Sequence, residues 1–261
     1  MKISTVILDW AGTAVDFGCF APVAAFQSAF ESAGLYPTME ETRAPMGMQK
    51  RAHIQTMLSG EQLGGYFRKK YGRDFEAADV DAIYQTFEPA LFSVLKNNCA
   101  VMPGVLETAK RLREAGIRLG STTGYTSEMM EIVTREARAQ GYAPDALVCP
   151  DEVGGVGRPY PYMIFRNLEK LGEMDVRRVL KIGDTAADIK EGKNAGCVSV
   201  GALRGSSMMG LSEAAYAALT NEEKSQLCAR AKIEYIAAGA DYVIESIEDL
   251  PALIEKLNRE A

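Results

Sequence analysis

Long apolar runs are missing from this sequence: none approaches the roughly 20 residues that a bilayer-spanning helix needs. Basic blocks are missing too. The 29 Lys and Arg are scattered among 35 Asp and Glu, for a net charge of −6, which argues against nucleic acid or an anionic membrane surface as a partner. Cysteine is sparse and odd in number (Cys19, Cys99, Cys149, Cys197, Cys228), and no two are spaced as metal ligands or as a redox pair. That usage fits a reduced, cytoplasmic compartment. The opening stretch is not expected to be a signal peptide, because its apolar part is short and runs straight into Asp9. Internal repeats and low-complexity tracts are absent as well.

What is present is the composition of an ordinary globular protein, 47% hydrophobic and 25% charged. The 261 residues exceed the commonest single domain but fall short of two full-sized ones. One core with a smaller insert, or one large α/β domain, suits that length. Ile3 to Leu8 is a short apolar run closed by Asp9-Trp10-Ala11-Gly12-Thr13, and it reads as a strand buried on both faces. From Pro22 the period becomes helical, Thr38 to Glu41 has capping-box spacing, and Pro45-Met46-Gly47 interrupts before Met48 to Leu58 resumes. Residues 20–98 contain no convincing strand and read as a helical insert. After Met102-Pro103-Gly104, helices alternate with strands at Ile117–Ser121, Ala146–Cys149, Val179–Ile182, Val198–Val200 and Tyr242–Ile244. That alternation means βαβ units and a parallel sheet. A final helix is expected over Ile247–Leu257.

Ligands of open α/β sheets sit at the carboxyl ends of the strands, so the polar residues there carry the functional question. They are Asp9, then Thr122-Thr123-Gly124, then Gly183-Asp184 with Asp188, and Arg158 in a loop after Cys149. Two acids from separate strands can hold a hard cation such as Mg²⁺. Thr123, the amides around Gly124 and the Arg158 cation can take phosphoryl oxygens. Taken singly, each has an ordinary structural role as a helix cap or turn residue. Four of them in chain order at strand ends are harder to attribute to capping.

Asp9-Trp10-Ala11-Gly12-Thr13, Ser121-Thr122-Thr123-Gly124, Arg158 and Gly183-Asp184-Thr185-Ala186-Ala187-Asp188 together resemble the four motifs of the haloacid dehalogenase superfamily. The resemblance implies an α/β fold: a Rossmann-like parallel-sheet core (residues 1–19 and 99–261) with a helical cap domain (20–98) inserted after the first strand. It implies that Asp9 is a nucleophile that becomes an aspartyl phosphate. Mg²⁺ is expected on Asp9, Asp184 and the Ala11 carbonyl, with Asp188 supporting the metal site from outside. Thr123, Gly124 and Arg158 are expected to hold the phosphoryl group, and a homodimer is expected.

One position departs from the pattern. Most phosphatases of the superfamily carry a second Asp two residues after the nucleophile, as acid and base for the leaving oxygen, and here that residue is Ala11. The replacement and its surroundings, with Pro45-Met46-Gly47 and Gly157-Arg158-Pro159-Tyr160-Pro161, resemble the subfamily that cleaves carbon–phosphorus bonds next to an aldehyde. Such a bond expels a carbanion, which needs an electron sink, and a lysine imine supplies one. Lys50 falls where that subfamily has its imine lysine. A lone helical lysine is usually solvated, and only the motif lifts Lys50 above that. Burial, or a cation such as Arg51, would lower its pKa toward the neutral amine the reaction requires.

His53, the single histidine, lies three residues beyond Lys50 on the same helical face. It suits either packing or proton shuttling. Cys19, Met46 and Tyr125 are expected to line the pocket, although Met46 could equally be core. Because Lys50 is in the insert and Asp9 in the core, the insert must close over the core. Hinges are expected near Val15 to Ala21 and Asn97 to Gly104. The competing readings are a phosphate monoesterase or phosphomutase on the same fold, and a relative that binds phosphate without turnover.

Overall fold

A computed structural model describes residues 2–260. The chain begins with β1 (Thr5–Leu8) and then runs through α1 (Phe20–Ser32), α2 (Met39–Arg43), α3 (Lys50–Ser59), α4 (Glu61–Tyr71) and α5 (Ala77–Leu95). It continues with α6 (Val105–Glu114), β2 (Arg118–Thr122), α7 (Ser127–Ala139), β3 (Ala146–Val148), α8 (Tyr162–Leu171), β4 (Val179–Gly183), α9 (Ala186–Ala195) and β5 (Val198–Ala202). Last come α10 (Glu213–Ala218), α11 (Asn221–Ala237), β6 (Tyr242–Ile244) and α12 (Leu250–Glu260). The strands form one parallel sheet in the order β3-β2-β1-β4-β5-β6. This is the α/β architecture expected from the alternation.

Strand order reverses between β1 and β4, and the register there decides where the polar residues emerge. Leu8 pairs with Ser121 of β2 and with Ile182 of β4. The next residues of all three strands, Asp9, Thr122 and Gly183, therefore leave the sheet at the same level. The apolar runs that made these strands legible are buried on both faces, as parallel sheets demand: Val6, Ile7, Leu119, Leu180 and Ile182 are all fully covered. Lys181 is the exception within β4, a charge completely buried in an apolar strand.

Helices α1 to α5 lie between β1 and α6 and pack on one another, α1 and α3 against α5, and α4 against α3. Their apolar faces join Phe26, Phe30, Leu63, Phe67, Phe87 and Leu91 into a cluster continuous with Trp10, Tyr125 and Met129 of the sheet side. The Thr38 capping box forms as its spacing requires. One boundary differs from expectation. Ile247–Asp249 is a short 3₁₀ turn, and α12 starts only at Leu250, with Pro251 in the first turn, where its missing N–H costs nothing.

The chain enters α1 through a tight turn in which Asp16 (φ 55°) and Cys19 (φ 56°) adopt left-handed conformations. The Asp16 carboxylate accepts from the Phe20 and Ala21 N–H groups, both at 3.0 Å, and so caps α1 from a buried position. Asp16→Ala should lower the unfolding free energy by about 1–2 kcal/mol, the cost of a lost N-cap, readable by urea denaturation. Wild-type stability in that variant would mean the cap contributes nothing.

Candidate active site

One small cavity lies at the carboxyl ends of β1, β2 and β4, covered by the loop between α2 and α3. Its walls are Asp9, Ala11, Cys19, Met46, Gly47, Lys50, Thr123, Gly124, Tyr125, Arg158, Asp184 and Thr185. The elements explain the convergence. Asp9 follows β1, Thr123 and Gly124 follow β2, Asp184 follows β4, and Lys50 opens α3 directly after the loop. Gly47 has φ 86°, and a Cβ there would lie 2.2 Å from Thr185 Oγ1, so only glycine lets this loop approach the sheet so closely. The room left for water-sized molecules is about 20 Å³, scarcely more than one water occupies.

Behind the cavity wall lies a dense charge network. Arg158 donates through Nη2 to Asp9 Oδ1 (2.7 Å) and to Thr122 Oγ1 (2.8 Å). Its Nη1 lies 3.0 Å from Asp188 Oδ1, and its Nε donates to Glu191 Oε2 at 2.9 Å. Lys181 Nζ meets Asp188 Oδ1 at 2.6 Å and Glu191 Oε2 at 3.5 Å. Asp188 Oδ2 accepts from the Thr185 hydroxyl at 2.5 Å. Asp184 takes the Ser207 N–H on Oδ2 at 2.6 Å. All these charged side chains are buried.

Burial raises the Asp9 pKa, and Arg158 opposes that shift. It raises Asp184 well above the usual carboxylate range, with Asp9 and Asp188 adding repulsion. Asp188 moves the other way, because Arg158 and Lys181 outweigh its burial. Ligand oxygens of Asp9, Asp184 and Asp188 lie within 4.8 Å of one another. Among the described residues, four buried carboxylates of this network face two cations, Arg158 and Lys181, so with all four ionised two negative charges would be unbalanced where water is scarce. A divalent cation would balance them, and its charge would return Asp9 and Asp184 to their ionised forms. Gly12 completes the cradle: a Cβ there would fall 2.3 Å from Asp184 Oδ2. The donor set is hard oxygen throughout, as Mg²⁺ prefers.

Lys50 stands apart from this network. It is 4% exposed, has no salt-bridge partner among the described residues, and its Nζ sits 4.8 Å from the centre of the Tyr125 ring. Burial lowers its pKa, opposed by Cys19 and Asp9 and assisted by Arg158. The first turn of α3 also disfavours a positive charge. Arg51 plays no such part: it points outward and pairs with Asp81 at 2.6 Å.

The cavity thus gathers Asp9, Ala11, Cys19, Met46, Lys50, Thr123, Gly124, Tyr125, Arg158 and Asp184. Asp188 stays behind it, with both oxygens engaged by protein partners. His53 does not reach the wall. Its ring stacks on Phe26 (3.8 Å between centroids) and donates from Nε2 to the Thr42 carbonyl at 2.9 Å, which leaves buried Nδ1 without a partner. Burial holds it neutral, and Lys50 adds to that.

Lys181, Glu191 and Ser207 are not among the residues that the sequence motifs point to. Two of the three left a trace: Lys181 interrupts an apolar strand, and Glu191 falls three residues after Asp188 on the same helical face. Ser207 acts through its backbone and left none.

Comparison with known proteins follows from this geometry. Residues 3–196 match the model of the haloacid dehalogenase-like hydrolase family, and residues 155–250 match a second model of HAD-hydrolase-like chains. The Lysinibacillus sphaericus phosphonoacetaldehyde hydrolase is 52% identical over all of this chain and 97% of its own. The Parabacteroides distasonis phosphonoacetaldehyde hydrolase is 50% identical over 98% of this chain and 97% of its own. Among solved structures, a phosphonoacetaldehyde hydrolase-like protein from Oleispira antarctica superposes with a TM-score of 0.96 at 33% identity, covering 100% of this chain and 94% of that one. The chain belongs to the haloacid dehalogenase-like hydrolases and, within them, to the phosphonoacetaldehyde hydrolase family.

Glu191 holds the Nε edge of Arg158 and so aims Nη2 at Asp9 while Nη1 faces Asp188. Glu191→Gln should lower kcat/KM about 10–100-fold, the usual size for losing an outer partner of a site. It should also lower the Tm, because Arg158 and Lys181 lose a buried counter-charge. Steady-state kinetics and thermal melts check both, and unchanged kinetics would remove Glu191 from the site.

Proposed function

We propose that this protein hydrolyses the carbon–phosphorus bond of phosphonoacetaldehyde to acetaldehyde and phosphate. The observation that carries the reading is one cavity holding both a buried, unpaired amine, Lys50, and a carboxylate, Asp9, held by Arg158. Ala11 leaves no acid at the position where an ester-cleaving relative needs one.

The sequence of bonds is as follows. Neutral Lys50 adds to the aldehyde carbon and water leaves, forming an imine whose protonated nitrogen can accept electrons. An Asp9 oxygen attacks phosphorus, the carbon–phosphorus bond breaks, and its electron pair moves into the carbon–carbon bond to give an enamine on Lys50. Protonation of the enamine carbon and addition of water release acetaldehyde and the amine. Water then cleaves the aspartyl phosphate and regenerates Asp9. Arg158, Thr123 and the Gly124 amide hold the phosphoryl oxygens during transfer. Asp9, Asp184 and the Ala11 carbonyl would hold Mg²⁺, which supplies positive charge to the phosphoryl group, and Asp188 steadies Arg158 and Lys181 behind them. Cys19, Met46 and Tyr125 enclose the aldehyde end, and His53 packs behind Lys50.

Closure belongs to the same proposal. Residues 20–98 act as a cap domain on the core formed by 1–19 and 99–261, hinged near 15–21 and 97–104. The cavity leaves no room for a phosphonate to pass, so the cap must open to admit it. A homodimer and a reducing, cytoplasmic setting complete the proposal. The five free cysteines are in keeping with that setting.

Phosphonoacetaldehyde with Mg²⁺ should be turned over far faster than a panel of phosphate esters, since Ala11 cannot protonate an ester oxygen. Comparable kcat/KM on both classes would favour a monoesterase or phosphomutase. Lys50→Arg keeps the charge but stays protonated and cannot form an imine, so it should lose most of kcat while still binding the phosphonate. Borohydride with phosphonoacetaldehyde should trap an adduct on Lys50, found by peptide mass spectrometry; an adduct on another lysine would defeat the assignment. The lowered Lys50 pKa has a sign that can be checked. The neutral amine gains population below the ordinary lysine value, so trapping should reach half its maximum below pH 10.5. A midpoint at or above that value would mean burial does not tune the amine.

A further inference from the structure

Apart from the two chain crossings, one side chain of the helical segment ties it to the 203–211 loop. Arg43, the last residue of α2, donates through Nη1 to the Gly18 carbonyl at 2.8 Å and to the Ser207 carbonyl at 3.1 Å. Its guanidinium also lies 5.4 Å from the centre of the Phe20 ring. Among the described residues, no other side chain of 20–98 hydrogen-bonds that loop. The loop is tied to the entry turn as well, through the Gly18 N–H and the Gly205 carbonyl at 2.7 Å.

Ser207 faces both ways. Its carbonyl receives Arg43, and its N–H holds Asp184 Oδ2. Its backbone thus lies between a residue that leaves when the cap opens and a carboxylate that must stay oriented to hold a cation. We propose that Arg43 is a positioning residue that couples cap closure to the divalent-cation site through Ser207 and Asp184. The inference rests on reading Asp9 and Asp184 as cation ligands.

With Arg43 in place, Ser207 is pinned and its N–H aims one oxygen of Asp184, leaving the other, 3.5 Å from the Thr13 hydroxyl, turned toward the shared site. When the cap swings away, Arg43 departs and Ser207 loses the one bond on its carbonyl from the cap. The loop is then held by its bonds to Gly18, Ile244 and Glu245, so the orientation of Asp184 is less constrained. A cation that binds the constrained form better must in turn favour the closed cap, because coupling free energy is reciprocal. The ordering has a use: a loaded site closes more firmly around the phosphonate than an empty one.

The test compares wild type with Arg43→Met, which keeps the stem and removes the donors. Mn²⁺ titration followed by electron paramagnetic resonance should show about 10-fold weaker binding in the variant, within the usual span of coupling. Hydrogen exchange over residues 15–21 should slow on adding Mg²⁺ in wild type and not in the variant. Mn²⁺ affinity within twofold of wild type overturns the coupling, even if exchange rises, and leaves Arg43 as a structural tie. A wild type that binds no Mn²⁺ overturns the cation reading and the coupling together, and is recognised before any variant is made. If circular dichroism shows Arg43→Met unfolded, Arg43→Lys serves instead. One ammonium is a poorer match for two carbonyls, so a several-fold loss of Mn²⁺ affinity is expected, and wild-type affinity would overturn the proposal.

Discussion

Arg158 buried against three carboxylates is the contact on which the site depends. A guanidinium is the side chain able to meet Asp9, Asp188 and Glu191 at once, because its donors lie in a fixed planar fork. A lysine in its place would be a point charge and could not span the same three directions. Burying such a set is expensive unless each charge finds a partner. The sheet makes it feasible: the matched register of β1, β2 and β4 delivers Asp9, Thr122 and Gly183 to one level with Asp184 directly after, and the first turns of α9 bring Asp188 and Glu191 to face Arg158. Lys181 supplies the second cation from inside the strand itself.

That network also explains why, in the proposed mechanism, the amine comes from the helical segment. A sheet edge crowded with carboxylates is a poor place for a neutral amine, since nearby negative charge stabilises the ammonium form. Lys50 instead arrives from above, on the first turn of α3, surrounded by Phe26, Tyr125 and the apolar group of Cys19, Val23 and Met46. On this separate element it has no salt-bridge partner among the described residues, and its burial outweighs the attraction of Cys19, Asp9 and Asp184.

Much of this was legible beforehand because it rests on short-range rules. Buried parallel strands read as unbroken apolar runs, the Thr38 capping box is local, and strand-end acids follow from topology. Asp9, Thr123, Gly124 and Asp184 could be named because each follows a strand, whereas Arg158, Lys50, Cys19, Met46 and Tyr125 were named through the motifs that resemble the family. What escaped depends on three-dimensional packing. Glu191 needed the knowledge that α9 turns that face toward Arg158. Ser207 works through its backbone N–H, which no residue type announces. His53 has helical spacing suited to a proton relay, yet Phe26 occupies the face of its ring and turns it from the cavity. Spacing along a helix fixes which residues share a side, not what stands between them and a ligand.

The cavity must satisfy two opposite demands in one desolvated volume. In the proposed mechanism Lys50 has to be neutral to attack a carbonyl, and Asp9 has to be ionised to attack phosphorus. Burial alone serves the first and defeats the second, because it disfavours charge of either sign. Asymmetric partners resolve the conflict. Arg158 touches Asp9 directly and Lys181 adds attraction from behind, whereas Lys50 faces the Phe26 and Tyr125 rings and has no salt-bridge partner among the described residues. The remaining negative charge around Asp9 and Asp184 is still more than these cations offset. On the proposed reading a cation completes the carboxylate half of the site, whereas the amine half needs none.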